Sequence, residues 1–334
     1  MREKVVFFDV LRCVAAVAVV TIHVLGPYRE QLGVISDSAW STAVIFNSFS
    51  RWAVPIFIMI TGALMLSDTR PFEPGYYLRR RLGKVLIPFL VWSLFYAGLS
   101  GLSAEGYDAG HAWETLKQLP VHETYYHLGF FYYFIPLYFV VPFLRYYVQH
   151  TDRTGTIGLT LTWLVMTTLY LMSVDGLWSE QLILYSGYLL LGYCLFVYRW
   201  PLLSWLLVPG IVALLLTAYM VISHSMAAEE YTVGRWLSYK TLNTALIAAL
   251  IFALCRYWSA RMSPRWLAVA AFVSRYSLGI YLLHPIFLWP VRAWDWYFIH
   301  PLVMIPCWTL IITALALGAS WLLARSRLTA WLVP

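Results

Sequence analysis

The chain has 334 residues, of which 61% are hydrophobic, 18% aromatic and only 12% charged. This composition excludes an ordinary soluble domain and predicts a protein embedded in a membrane. The formal net charge of +7 does not indicate nucleic-acid binding, because basic loops beside membrane spans and contact with anionic lipids account for it.

Apolar stretches long enough to cross a bilayer recur along the whole chain, and no soluble module separates them. We therefore predict an all-α fold, with a single transmembrane domain over residues 1–334. The first stretch resembles a signal peptide, but Gly26-Pro27-Tyr28-Arg29 offers no cleavage site, so we expect it to remain as a span. The ten predicted spans lie near residues 5–25, 42–66, 85–103, 127–147, 157–174, 182–198, 201–222, 237–255, 274–291 and 302–324.

The charges of the loops between these spans predict their orientation. Basic residues are concentrated on one side and acidic residues on the other, and basic loops face the cytoplasm, so both termini are expected to be cytoplasmic. The opposite side has five basic residues: Arg29, Lys117, Arg235, Lys240 and Arg292. The cytoplasmic side has 16: Arg2, Lys4, Arg70, Arg79, Arg80, Arg81, Lys84, Arg145, Arg153, Arg199, Arg256, Arg261, Arg265, Arg275, Arg325 and Arg327.

The first span contains Asp9, Arg12 and His23. At 100° per residue, Arg12 and His23 fall about 20° apart around a helix and about 16 Å apart along it. Asp9, three residues before Arg12, is able to pair with it. Ionisable groups in a membrane are costly, so we interpret this stripe as functional. The alternatives are that Asp9 only neutralises Arg12 and that His23 is an interfacial histidine.

The second span contains Arg51 at a depth comparable to that of His23, followed by Pro55 and Thr61-Gly62. A kinked helix that packs closely against a neighbour explains Pro55 and Gly62. It does not explain Arg51, which remains a candidate functional residue.

The loop at residues 67–84 is basic and contains Arg79, Arg80, Arg81 and Lys84. This cluster is either topogenic charge or a site for a polyphosphate ligand at the cytoplasmic face. The four cysteines are widely spaced in or beside apolar stretches, so they predict packed thiols and neither disulfides nor a metal site.

Two further histidines belong to spans. His127 opens the fourth span at its outer end, where an aromatic belt is expected in any case. His284 lies inside the ninth span, beside Pro285. A histidine that caps a carbonyl freed by the proline and a catalytic histidine are equally consistent with that position.

Five motifs carry a resemblance to a known family: Arg-x10-His in the first span, VPIFIMITGALML after an arginine, YLRRRLGKVLIP, YHLGFF and SRYSLGIYLLHP. In order and spacing they resemble the membrane acyltransferase family 3, from the first span to the ninth. The sequence is most similar to inner-membrane O-acetyltransferases of lipid-linked or surface glycans, such as that of enterobacterial common antigen. It departs from the family pattern at Thr61, where serine is usual, and at Gly129, where tryptophan is usual.

The resemblance implies a ten-helix enzyme of the bacterial inner membrane. It would move an acetyl group from cytoplasmic acetyl-CoA, its donor co-substrate, to a glycan hydroxyl on the extracytoplasmic side, without a metal. Arg12 and His23 would be the essential pair. The supporting positions would be Arg51, Thr61, Arg79, Arg80, Arg81, His127 and His284.

A consistent mechanism has the CoA phosphates bound by the basic cluster, Arg79 to Arg81 with Lys84, and Arg12, supported by Asp9, holding the donor deeper in the membrane. His23 would act as general base on the hydroxyl. Arg51, or a backbone group near Thr61, would stabilise the oxyanion. Direct transfer and transfer through a histidine both remain open. The competing interpretations are a transporter or flippase for a glycan or other anionic substrate, and a scaffold without catalysis.

Overall fold

The structure is a computed structural model that describes residues 6–198 and 201–334. It is 75% helical and, over these residues, contains no strand, which confirms the predicted all-α class. The basic residues Arg2, Lys4 and Arg199 lie outside the described residues. The α-helices are α1 (Phe7–Val24), α2 (Gly26–Arg29), α3 (Asp37–Ser48), α4 (Ala53–Leu66), α5 (Pro74–Tyr77), α6 (Gly83–Ser100), α7 (Ala109–Lys117), α8 (Gly129–His150), α9 (Arg153–Leu171), α10 (Gln181–Val197), α11 (Leu202–Ala228), α12 (Leu242–Ser259), α13 (Pro264–Arg275), α14 (Ser277–Ala293) and α15 (Pro301–Leu323).

Eight helical segments of the described chain are long and apolar enough to cross a membrane, with α3–α4 and α5–α6 each counted as one. The pair α13 and α14, which bends by 68°, makes a ninth if it is one span. The apolar 17-residue helix α10 occupies the position of the predicted sixth span. The polytopic membrane fold is therefore confirmed, with one helical unit at each of the ten predicted positions. The orientation relative to the cytoplasm stays a prediction.

The second span is broken just before Pro55, the residue that indicated a kink in the sequence. α3 ends at Ser48 and α4 begins at Ala53, so Arg51 lies in the break. Pro55 has no N–H to donate to the carbonyl of Arg51, which weakens the helix at this point. Trp52 satisfies another freed carbonyl, because its indole Nε1 donates to the oxygen of Phe49 at 2.6 Å. The break frees the Arg51 side chain to reach a different segment of the chain.

The ninth span differs from the prediction. It starts with the separate helix α13 and turns sharply at Tyr276, between α13 and α14. Ser274, at the end of α13, donates from its hydroxyl to Asp9 Oδ1 at 2.7 Å, so α13 is tied to the start of α1. The bend lets α13 contact α1 while α14 continues across the membrane.

The interior of the bundle is formed around α1 and α4. α1 is mostly buried and packs against α4, α12, α13, α14 and α15. α4 and α10 meet backbone to backbone, because a side chain on Gly62 would collide with the backbone of Leu189, and one on Gly192 with that of Met59. The charged residues of the first two spans therefore face protein and cavities, whereas α9, α11 and α15 present much apolar surface for lipid.

Candidate active site

Three histidines that are distant in sequence meet near one end of the bundle. His23 is near the end of α1, His127 precedes α8 and His284 lies in the middle of α14. The rings of His23 and His284 stack with centroids 5.0 Å apart, and those of His127 and His284 are 5.5 Å apart. His127 and His284 are buried, and His23 is half-buried. Within the described residues, no group of histidine, cysteine or acidic side chains has the arrangement of a metal site.

The hydrogen bonds of His284 determine which of its nitrogens carries the proton. Nδ1 lies 2.7 Å from the carbonyl oxygen of Tyr281 and 3.2 Å from that of Ile280. Carbonyl oxygens only accept, so Nδ1 is the protonated donor and Nε2 keeps a free lone pair. This Nε2 and both ring nitrogens of His127 are buried and have no hydrogen-bond partner among the described residues. The cluster therefore contains imidazole nitrogens able to accept a proton or a hydrogen bond.

An aromatic and basic shell holds His23 in place. The Tyr126 ring is 4.8 Å from the His23 ring, and the Arg292 guanidinium lies 4.6 Å from the centroid of Tyr126. Arg292 Nη2 also donates to the backbone carbonyl of His23 at 2.5 Å. In the sequence, Arg292 is only one of the basic loop residues. Its position eight residues after His284, two turns along the same helix, is the signal that could have identified it.

The outer cavity is the space in front of His23, with a volume of about 640 Å³. His23 and His127 line it together with Arg51, whose side chain reaches from the break in the second span to the loop before α12. Arg51 Nε donates to the carbonyl of Leu237 at 2.9 Å, and its Nη1 donates to the hydroxyl of Tyr239 at 3.0 Å. The complete lining is Val19, Ile22, His23, Arg29, Arg51, Val54, Val121, His122, Glu123, Tyr126, His127, Gly129, Phe130, Tyr132, Tyr133, Gln181, Tyr185, Tyr239, Tyr281 and Arg292.

The inner cavity, of about 250 Å³, is lined by Arg12, Thr61 and Arg81 among aromatic side chains of α8. Arg12 Nη1 is 3.9 Å from Asp9 Oδ1, so the pair expected from the i, i+3 spacing is present. The Thr61 hydroxyl donates to the carbonyl of Phe57 at 2.9 Å. Thr61 lines this cavity with Arg12 and is not part of the outer cavity that contains His23.

The four residues of the basic cluster are all exposed, and one of them also lines two cavities. All four of its side chains, on Arg79, Arg80, Arg81 and Lys84, are exposed, and the three arginines lie on a π-helical turn at Leu78–Leu82. Among these four, Arg81 alone lines the inner cavity and a third space, the entrance basin.

The entrance basin has a volume of about 330 Å³ and lies beside the 67–84 loop. Arg70 and Arg145 line it with Arg81, together with the aromatic rings of Phe72 and Tyr76. Arg145 Nη2 donates to the carbonyl oxygen of Arg70. In the sequence, Arg70 and Arg145 are indistinguishable from topogenic charges, because nothing in their spacing relates them to Arg81.

The three spaces form a series through the bundle. The entrance basin and the inner cavity share Met65 and Arg81 as lining residues. The inner and outer cavities share Phe130 and Tyr281. The three spaces therefore adjoin one another between the 67–84 loop and His23, with Arg12 on the wall of the middle one.

The same residues fall within a known protein family. No curated protein and no solved structure was found to match the chain. The family model of the acyltransferase domain, acyltransferase family 3, matches residues 5–325 and so includes the three histidines, the arginines and all three cavities. Because this match covers nearly the whole chain, the protein belongs to acyltransferase family 3 and is a membrane acyltransferase.

Proposed function

We propose that the protein is an O-acetyltransferase of the bacterial inner membrane. It takes the acetyl group from acetyl-CoA on the cytoplasmic side and transfers it to a hydroxyl of a lipid-linked or surface glycan, of the kind represented by enterobacterial common antigen, on the other side. The observation that carries this proposal is the series of cavities from Arg81 to His23. A donor and an acceptor that enter from opposite faces are able to meet along it.

The donor binds in the entrance basin. CoA carries several phosphate groups, and guanidinium groups bind phosphate through charge-assisted and bidentate hydrogen bonds. Arg81 and Arg145 supply two such groups around one space, and Arg70 supplies a third that is paired with Asp68. Phe72 and Tyr76 supply aromatic surface for the adenine ring. Arg79, Arg80 and Lys84 remain part of the proposal as surface charges that raise the local concentration of the anionic donor.

The acyl arm of the donor extends through the inner cavity towards His23. This cavity is mostly apolar, which suits the pantetheine chain and the thioester, and Arg12 and Arg81 are its charged groups. Asp9 orients Arg12, and Ser274 in turn donates to Asp9, so the guanidinium is held from two helices. In this proposal Arg12 and Thr61 act on the donor, because neither lines the outer cavity.

The transfer itself takes place at the histidine cluster. His23 accepts the proton of the glycan hydroxyl as its oxygen attacks the thioester carbonyl carbon, so that a C–O bond forms and the C–S bond breaks. The proton then passes to the departing thiolate, which leaves as free CoA. Arg51 is a cation of the outer cavity able to stabilise the negative charge that develops on the carbonyl oxygen. His284 Nε2 and the nitrogens of His127 are the groups that would carry the acetyl in a relay mechanism.

The test is acetyl transfer across a bilayer. Purified protein in liposomes would receive labelled acetyl-CoA on one side and a lipid-linked glycan extract on the other. We expect covalent label in the glycan, and release of free CoA, only when the donor is on the side of the 67–84 loop. If transfer is equally fast when the donor and the acceptor exchange sides, or when both are on the same side, the proposal that they enter from opposite faces is contradicted. Movement of label without formation of an ester would instead indicate a transporter.

A further inference from the structure

Two arginines lie side by side at the mouth of the outer cavity. Arg29 is the last residue of α2 and Arg292 lies near the end of α14, and both line this cavity with His23. A methyl group on Gly26 would lie 2.9 Å from Arg292 Nη2 and 3.4 Å from Arg29 Nη2. The two guanidinium groups therefore lie close to each other, next to Gly26.

Neither guanidinium forms an ion pair with a carboxylate in the part of the chain that the structure describes. Arg29 Nε makes one long hydrogen bond, 3.4 Å, to the carbonyl of Gly26. The Arg292 Nε atom is buried and has no hydrogen-bond partner among the described residues. Two guanidinium groups thus lie close together without an ion-paired carboxylate, which usually accompanies partly buried cations.

The acidic side chains near the arginine pair, those of Glu30, Glu123 and Asp295, form no ion pair with it. Tyr297 lies against Arg292, but burial raises the pKa of the Tyr297 phenol to about 12, against the lowering effect of Arg292, so the phenol is neutral at physiological pH. Tyr126, under Arg292, contributes only the face of its ring. Glu123 also lines the outer cavity but forms no ion pair with either arginine.

From this geometry we propose that Arg29 and Arg292 bind an anionic group, a phosphate or a carboxylate, on the acceptor glycan. This inference rests on the proposed function, because it assigns an acceptor to the same cavity. Two guanidinium groups match the planar, bidentate hydrogen bonding of carboxylate and phosphate oxygens. The acceptor is therefore a charged saccharide, such as a sugar joined to phosphate or a uronic acid.

The rest of the outer cavity suits the sugar that carries this anion. Arg292 contacts the backbone of His23, so an anion on the arginine pair is held next to the general base. The rings of Tyr133 and Tyr185 stack at 4.1 Å with an angle of 7° between them, and both line the same cavity. The outer face of this stack is able to pack against a sugar ring while the anion fixes the orientation of the sugar.

The experiment compares three monosaccharide probes that differ in charge: glucose 1-phosphate, glucuronate and the neutral methyl glucoside. Their binding to the purified full chain is measured by calorimetry at low and high salt. We expect an anionic probe to bind about tenfold more tightly than the neutral one, as the loss of a charge-assisted hydrogen bond implies, and this preference to weaken with salt. The stronger of the two anionic probes identifies phosphate or carboxylate as the group bound.

Arg29→Gln is the decisive variant, because Arg29 contacts none of the histidines through a hydrogen bond. It should remove most of the preference for the anionic probe, and Arg29→Lys should retain part of it. Lys117→Gln, which removes an exposed charge on the same face, should change nothing. Equal binding of all three probes, or a preference that survives Arg29→Gln, would overturn the inference.

Acetyl transfer, measured on the same preparations, separates this inference from the proposed function. If neutral glycans are acetylated and anionic probes have no advantage, the anion site is wrong and the acetyltransferase stands. If the anionic probe binds through Arg29 but no donor and acceptor pair yields an ester, the anion site stands and the acetyltransferase is wrong.

Discussion

His23 and His284 stack with ring centroids 5.0 Å apart, although 260 positions separate them in the sequence. The contact joins the first span to the ninth and makes the C-terminal end of α1 part of a histidine cluster. His284 donates from Nδ1 to backbone carbonyls of its own helix, so its orientation is fixed by α14. His284 thus combines the two interpretations of its position, because it caps carbonyls of its own helix and also belongs to the site.

The first prediction concerns orientation. The 67–84 loop should be cytoplasmic and the loop that contains α7 should be extracytoplasmic, because positive charge is retained inside. Gly75 and Gly110 are exposed glycines in these two loops. In intact cells, an impermeant thiol reagent should label Gly110→Cys and not Gly75→Cys, and permeabilised cells should label both. The wild-type chain gives the background from the native cysteines, and equal labelling in intact cells would contradict the topology.

The second prediction separates the arginines of the basic cluster. Arg81 lines the entrance basin and the inner cavity, whereas Arg79 lines neither. Arg81→Gln should therefore weaken acetyl-CoA binding by about tenfold, as expected for a lost charge-assisted hydrogen bond, and Arg79→Gln should have a much smaller effect. Equilibrium binding of labelled acetyl-CoA measures both. If the two variants weaken binding equally, the cluster acts only through its overall charge.

The third prediction concerns Gly129, where the family usually has tryptophan. A Cβ at this position would lie 3.4 Å from the carboxylate of Glu123, and both residues line the outer cavity. Gly129→Trp should displace Glu123 and reduce the space for the acceptor, so the KM for the glycan should rise while acetyl-CoA affinity is unchanged. Gly158→Trp is the matched control, because nothing lies within 4 Å of a Cβ there. A change in acetyl-CoA affinity alone would contradict this assignment.

The fourth prediction concerns the contact between α4 and α10. Gly192 faces the backbone of Met59, and a larger side chain would force the two helices apart. Gly192→Leu should destabilise the fold by about 1–3 kcal/mol, the usual cost of overpacking. Gly318→Leu on α15, where a Cβ meets nothing within 4 Å, is the control. Thermal unfolding in detergent should show a lower Tm for Gly192→Leu only, and equal Tm values would mean that the contact is able to relax.

The spans and the charged stripe of α1 could be predicted from the sequence because hydropathy and helical periodicity are local properties. The break at Arg51 and the bend at Tyr276 could not, since both depend on contacts with distant segments, such as the hydrogen bond from Arg51 to the carbonyl of Leu237. The roles of Arg145 and Arg292 in lining cavities escaped prediction for the same reason. In the sequence both are loop charges, and only the fold places Arg145 beside Arg81 and Arg292 beside His23.

The last prediction distinguishes the two ends of α1. His23 lines the outer cavity and Arg12 the inner one, so their loss should impair different steps. His23→Ala should leave acetyl-CoA affinity unchanged and reduce the transfer rate by about 10²–10⁴, the usual contribution of a general base. Arg12→Ala should mainly weaken acetyl-CoA binding. His111→Ala, an exposed histidine on α7, is the control for both measurements.

Acetyl-CoA affinity and transfer rate are measured separately for each variant, because Arg12 is assigned to donor binding and His23 to transfer. Near wild-type transfer by His23→Ala would exclude it as the base and leave His127 and His284 as the candidates, because their unpaired nitrogens lie in the same cluster. If His23→Ala instead loses acetyl-CoA binding, the thioester contacts the imidazole of His23 already in the complex with the donor. A pure loss of rate with intact donor binding is the outcome that the positions of His23 and Arg12 along α1 require.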